Sequence, residues 1–287
     1  MKNLKNIVIL LIPVTLIIYM FIWDFGNIKY LKYLLTEVSF TPGRWMEIWK
    51  FLLGQLLTIF DIVAPIVYLA TENAALKNKL YKLIRFTYVI TVLFTIPPMI
   101  LRFLHTTEYS SGSTLLIYLR YLILFFTTAV LWVSKPEDDI PFVSLKDYAM
   151  VSYTSKGNRL LHHVVDILFC ATISFDWMLG KRTGYSPYED AIVSSLISSA
   201  NLFAYYLLSE LLFRQTLGKI LTNSCVVATR GTMGGLRILG RTFARFIPFD
   251  VLSFIGNGNW HDKVSGTTVV YTYSWEDIVF EGEAERQ

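Results

Sequence analysis

Cysteine and charge are both scarce in this chain. Two cysteines among 287 residues, Cys170 and Cys225, exclude a disulfide-stapled scaffold and are too few for a cysteine-built metal centre. Charged residues make up only 17%, against about 25% in a soluble domain. The 9 prolines and 16 glycines are too few for a long disordered segment, and no repeat of solenoid period is visible. The net charge of +4 comes without a dense Lys/Arg block, which argues against a nucleic-acid partner. A basic surface facing lipid accounts for the same charge. What the chain has instead is apolar residue: 54% of the sequence, with a mean hydropathy of +0.47. These residues are grouped into runs of bilayer length, so the expectation is an integral membrane protein with the lipid bilayer as its first partner.

Six runs read as transmembrane helices: 5–23, 50–70, 84–104, 114–133, 159–179 and 190–213. The first, in "MKNLKNIVILLIPVTLIIYMFIWDFG", has the basic start and apolar core of a signal peptide but no small-x-small cleavage site. It is read as a retained span. Lysine and arginine gather in 71–85, 134–159 and 214–245, while 105–113 has none and 180–189 has only Lys181 and Arg182. That asymmetry predicts a multi-pass protein of the cell membrane with both termini cytoplasmic. The first outer loop is the exception, and its "IKYLKYLL" reads as a short amphipathic helix on the outer surface. Composition shifts at "PEDDIPFVSLKD", residues 136–147, which separates a four-helix region, 1–134, from a second unit. Past the sixth helix, Val226 and Val227 have strand character, and a helix starts near Leu236 with Arg237, Arg241 and Arg245 on one stripe. The stretch from Phe243 to Phe254 is too short to span and is expected in the interface. "TTVVYTY" reads as β-type, and the tail, 273–287, is acidic. The predicted fold is therefore all-α and polytopic, with a short amphipathic or re-entrant helix and a small cytoplasmic β-type element.

Charge within these runs is where function is sought. "RLLHHVVDILFC" places Arg159, His162 or His163, and Asp166 at helical spacing on one stripe. An aspartate at the centre of an isolated span costs around 2.5–3.5 kcal/mol, so Asp166 is expected to face the bundle. Glu210, near the cytoplasmic end of the returning helix, falls in the same leaflet. Two buried carboxylates that close would let a proton exchange against a small cation. The competing reading is that Arg159 and an arginine of the third segment neutralise the acids and lock the helices together. The sixth helix also has a polar face through Ser194, Ser198, Asn201, Tyr205 and Ser209, beside Ser195, Ser199, Tyr206 and Glu210. It serves either close helix packing or a wet lining toward Glu210. Depth counting predicts an ion pair between Asp61 and Arg120, and "TIPPMI", with Pro97 and Pro98, is expected to break the third helix near its outer end or, as the commoner outcome, only to kink it.

Several patterns fail. "RQTLGKI" and "TRGTMGGL" lack the spacing that cradles phosphate. No Ser/His/Asp set has a workable geometry, so no catalytic residue, enzyme activity or cofactor is expected. His162, His163, Asp166 and His261 would make a metal site only if the closing segment docked beneath the fifth helix, and no metal is assigned.

Three separated elements, in order, resemble the RDD family of membrane proteins, named for one arginine and two aspartates. They are Arg159 with Asp166 at the entry of a helix; "ELLFRQTLGK", giving Glu210, Thr216, Gly218 and Lys219; and "NWHDKVSGTTVV", giving His261 and Asp262. The resemblance spans residues 148–271, a little under half the chain, and sets the second unit at 148–272. It implies a membrane location and a role in transport. Two functions follow: a transporter or ion/proton exchanger using Asp166 and Glu210, tuned by Arg159 and closed by His261 and Asp262; or a non-transporting scaffold or assembly partner. The short chain, with no inverted repeat, favours a homo-oligomer, a membrane protein partner, or the scaffold.

Overall fold

The computed structural model describes residues 2–23, 42–104, 111–134, 153–173, 187–229, 233–246 and 260–272. The chain divides into two compact units. Unit 1 comprises Met1–Glu137 and Ala171–Lys181; unit 2 comprises Asp138–Cys170 and Arg182–Gln287. The break between 137 and 138 falls within the acidic stretch.

Unit 1 contains α1 (Lys2–Trp23), α2 (Pro42–Ala70), α3 (Ala74–Leu104) and α4 (Ser111–Val133). Asn73 starts α3 by accepting the Leu76 amide on its side chain at 3.0 Å, satisfying one of the donors a helix start leaves open. The helix therefore begins ten residues before the predicted start at 84. Lys77, Lys79, Lys82 and Arg85, read from sequence as loop, lie on it. Pro97 and Pro98 do not break it either, because α3 continues through both to Leu104. The core gathers Ile9, Ile12, Tyr68, Tyr81, Ile84 and Leu131. The Tyr81 hydroxyl donates toward the carbonyls of Leu131, at 3.1 Å, and Ser134, so the end of α4 is fastened to α3. Lys5 lies over the Tyr81 ring at 4.5 Å and Lys77 over Tyr68 at 5.3 Å, an arrangement that stabilises a cation beside an aromatic wall.

Unit 2 contains α5 (Lys156–Ile173), α6 (Pro187–Phe213), α7 (Leu217–Leu221), β1 (Ser224–Ala228), α8 (Gly235–Ala244), α9 (Trp260–Ser265) and β2 (Thr267–Tyr271). The two strands pair antiparallel, Ser224 opposite Tyr271 and Ala228 opposite Thr267. The β-branched residues indicated each strand but not their partnership across forty residues. Ser155 caps α5 by accepting the Asn158 amide at 3.2 Å, and the Thr154 amide donates to the Val269 carbonyl at 3.1 Å. The entry of α5 is thereby fixed to β2. Arg214 ends α6 in the left-handed region at φ 58°, and its amide closes on the Glu210 carbonyl at 3.1 Å. That turn folds α7 back against α5. The contact is close enough that a Cβ on Gly218 would sit 2.6 Å from the His162 Cα, so only glycine fits there.

The helices of unit 2 are inside-out by soluble standards. On α5, Arg159, His162 and Asp166 are buried, while Leu160, Leu161, Val164, Ile167 and Leu168 are exposed. On α8, Arg241 and Thr242 are buried, while Leu236 and Phe243 are exposed. Water would reverse this pattern; lipid permits it, since buried polar groups then find partners and apolar ones need none. In unit 1, Leu52, Leu56, Ile59, Val63 and Ile66 make a similar exposed stripe on α2.

Among the described residues, three helical stretches are long and apolar enough to cross a membrane: Phe51–Ala70, Ala74–Ile100 and Ser195–Phe213. Asn3–Ile18 and Tyr118–Val133 are apolar but shorter. The outer "IKYLKYLL", the acidic stretch 136–147, most of the interfacial stretch after Phe246 and the tail 273–287 lie outside the described residues.

Candidate functional site

The site is built within unit 2, where α5, α6, α7, α8 and α9 each contribute a charged group. Glu210, fully buried on α6, meets three cations. Lys219 Nζ is 2.6 Å away, Arg245 Nη2 2.5 Å and Arg241 Nε 3.2 Å. Arg241 also reaches Asp262, and Asp262 accepts from Arg159 Nη1 at 2.5 Å. The result is a continuous chain, Arg159–Asp262–Arg241–Glu210, with Lys219 and Arg245 branching from its end. Arg159 further donates from Nε to the Thr154 carbonyl at 3.3 Å, and Arg241 to Thr267 Oγ1 at 2.7 Å. The guanidinium of Arg245 lies 4.1 Å from the centre of the Tyr206 ring.

Asp166 stands apart. Its Oδ1 accepts from the Tyr205 hydroxyl at 2.7 Å and the Gly218 amide at 3.0 Å, and no ion pair reaches it among the described residues. The sequence argument had joined Asp166 to Glu210 and let Arg159 tune them. The geometry places Arg159 on Asp262 instead. Arg159 sits in the first turn of α5 and Asp166 two turns deeper, while α9 delivers Asp262 to the entry end. Tertiary placement of α9 decides the partner, and nothing in helical spacing encodes it.

Electrostatics follow the contacts. Burial alone raises the Asp262 carboxyl, but Arg241, His261 and Arg159 outweigh it and hold it down at about 2. Burial lowers the Lys219 ammonium; Glu210 raises it, Arg245 and Arg241 lower it again, and it settles at about 8. Burial also works against the Arg245 cation, but Glu210 more than offsets this and its pKa lies above the ordinary arginine value.

His162 Nε2 lies 2.5 Å from Thr222 Oγ1 and 3.2 Å from Ser224 Oγ. His163 Nδ1 lies 3.3 Å from the Tyr206 hydroxyl, and His261 Nε2 is 3.5 Å from Asp262. A cavity of about 30 Å³ lies among these groups, walled by Arg159, Lys219, Arg241 and Arg245, by the three histidines, and by Asp166. The closing segment does dock beneath α5, as a metal site would need, yet no group of three or more His, Cys, Asp or Glu is arranged to hold a metal among the described residues. Four cations on the same walls give the physical reason.

Of the Gln-Thr-x-Gly-Lys element, Gly218 sets the α7–α5 approach and donates its amide to Asp166. Lys219 neutralises Glu210, and Thr216 is buried at the start of α7. The roles of Tyr205, Tyr206 and Thr267 were missed; the tyrosines showed in sequence only as a polar face, and each of the three hydroxyls meets a partner on another element. On the polar face of α6, Tyr205, Tyr206, Ser209 and Glu210 are buried, whereas Ser195, Ser198 and Ser199 are exposed. Only the C-terminal half of that face takes part in the site.

In unit 1, no ion pair joins Asp61 to Arg120 among the described residues. Arg120 is on the exposed side of α4 and Asp61 is half-buried on α2, with Oδ1 buried and without a hydrogen-bond partner. Counting depth along two helices gave their heights but not their rotation, and rotation decides whether two side chains meet.

Helices that bury charge and expose leucine, three of them with stretches long and apolar enough to cross a bilayer, define a helical membrane protein. No family model, curated protein or solved structure matches the chain.

Proposed function

We propose that the chain is a multi-pass protein of the cell membrane, with six spans and both termini cytoplasmic, whose RDD-like half acts as a non-transporting scaffold or assembly partner. The observation that supports this reading is the threefold ion pairing of Glu210. An exchanging carboxylate must lose and regain its charge near neutral pH. Three cations within 3.2 Å of Glu210 strongly favour its charged form, and Asp262 is held in the same way by two arginines. Such a network joins five helices and a strand edge in one geometry, which suits architecture. The resemblance to the RDD family supports the membrane placement of residues 148–271.

A second reading rests on Asp166. It borders the cavity, lies one turn below a histidine, and has no ion-pair partner among the described residues, so it is the carboxylate left for cation/proton exchange. The two readings separate in proteoliposomes. Internal pH is followed after imposing Na⁺ or K⁺ gradients, with wild type beside Asp166→Asn. The scaffold reading expects no cation-coupled proton flux from either protein. A wild-type flux that disappears in Asp166→Asn overturns it in favour of exchange.

A further inference from the structure

The scaffold reading leaves the cavity itself unused. Its walls bring four cationic side chains together, Arg159, Lys219, Arg241 and Arg245. Three carboxylates, Asp166, Glu210 and Asp262, stand against them, which leaves one positive charge in excess inside a buried network. Glu210 and Asp262 are already engaged by their arginines and lysine. Asp166 Oδ1 is occupied by Tyr205 and Gly218. No acid of the network is left to balance the surplus.

One donor stands out. The Arg245 side chain is 10% exposed, and its Nη2 is spent on Glu210 at 2.5 Å. Its Nη1 is buried with no hydrogen-bond partner. A buried guanidinium nitrogen without an acceptor is costly, more so for a charged group than for a neutral one. Arg245 lines a cavity of about 30 Å³, where about 10–15 Å³ is enough for a water. The space therefore admits a small polyatomic group, and the missing acceptor is what such a group would bring.

We propose that this cavity binds a phosphate-type oxyanion, taken either as free phosphate or as the phosphate of a lipid headgroup. Arginine selects oxyanions through its planar fork of donors, which matches two oxygens of one anion. One negative charge on the ligand balances the surplus, and one oxygen satisfies Arg245 Nη1. His162, His163 and His261 complete the wall as weaker polar groups. The same surplus repels cations, so the proposal rests on the scaffold reading and not on cation exchange at Asp166, which lines the same cavity. Bound there, an oxyanion would tie α5, α7, α8 and α9 more firmly together, making the stability of unit 2 depend on ligand.

The test uses the full chain purified in detergent. Thermal unfolding is followed while inorganic phosphate is titrated against sodium chloride at matched ionic strength. A ligand that binds only the folded state raises the midpoint by mass action, so phosphate is expected to give a saturable rise that chloride does not. Arg245→Gln is expected to weaken the apparent affinity at least tenfold. His163→Ala, which removes part of the wall and the contact with Tyr206, is expected to weaken it several-fold, and it serves where Arg245→Gln does not fold. Nanodiscs of phosphatidylcholine with and without phosphatidic acid, free of phosphate, distinguish the sources. A rise with phosphatidic acid that also abolishes the phosphate response assigns the lipid; a response to phosphate alone assigns the free anion. No rise with either, or a rise of equal size and affinity in both variants, marks an adventitious ion only and overturns the proposal.

Discussion

The two units solve the same problem with opposite materials. Unit 1 is held by Ile9, Ile12, Ile84 and Leu131 packed among tyrosines, and its polar contacts mostly end on backbone carbonyls, as those of Tyr81 and Arg85 do. Unit 2 has a small apolar cluster of Val226, Ala228, Met233, Ile238 and Val269, but its helices converge on buried charge. Arg241 and Glu210 are among its most deeply buried side chains. An apolar core tolerates a lost contact in proportion to the area involved. A charge network does not, because removing one ion leaves its partners buried and uncompensated. Unit 2 should therefore be brittle where unit 1 is graded.

The sharpest way to break that contrast is Glu210→Gln, which strands Lys219, Arg241 and Arg245 together. A loss of about 3–5 kcal/mol is expected, read as a fall in the detergent unfolding midpoint or as failure to accumulate in membranes. A variant within 1 kcal/mol of wild type would make the network ornamental. Next is Gly218→Ala. The new methyl would meet backbone of α5 at 2.6 Å, and because backbone cannot rotate aside as a side chain does, a loss of about 1–3 kcal/mol is expected.

Acid sharpens the comparison without a mutation. The Asp262 carboxyl is held at about 2 in the fold, below its ordinary 3.8. A group depressed in this way stabilises the fold above the unfolded value and loses that contribution as pH falls from about 4 toward 2. The amount is about 2 kcal/mol. Unfolding midpoints between pH 5 and pH 2 should fall more steeply in wild type than in Asp262→Asn, which starts lower and has no such carboxyl to titrate. The smallest effect belongs to unit 1. Tyr81→Phe keeps the ring against Tyr68 and removes only the hydroxyl's bonds to Leu131 and Ser134; about 1 kcal/mol is expected from the same midpoint measurement. A larger loss there than in Gly218→Ala would reverse the contrast between the units.

Much of this was legible in the sequence, for identifiable reasons. The runs around Phe51–Ala70 and Ser195–Phe213 announce themselves because a bilayer demands length and apolarity together. Arg159, Asp166 and Glu210 stood out because charge is scarce and expensive in such a chain, and Asp262 only through the resemblance of its segment to the RDD family. The start of α3 at Ala74 was missed because Lys77, Lys79 and Lys82 look like loop residues, although charged side chains extend a helix readily once a cap such as Asn73 starts it. Of the two outcomes open at Pro97 and Pro98, a break is the one the structure sets aside, since a long helix supported by neighbours survives what a short one does not.

What the sequence determined by itself is the kind of environment each segment needs: lipid for the leucines of α2 and α5, and a partner for every buried ion. What only the tertiary structure decided is which partner. Arg159 finds Asp262 rather than Asp166 because α9 and β2 return to the entry of α5. Among the described residues no ion pair joins Asp61 to Arg120, since height along a helix does not fix its rotation. Local sequence sets cost, through burial and charge, but pairing depends on positions brought together from a hundred residues apart, and no spacing rule reaches that far.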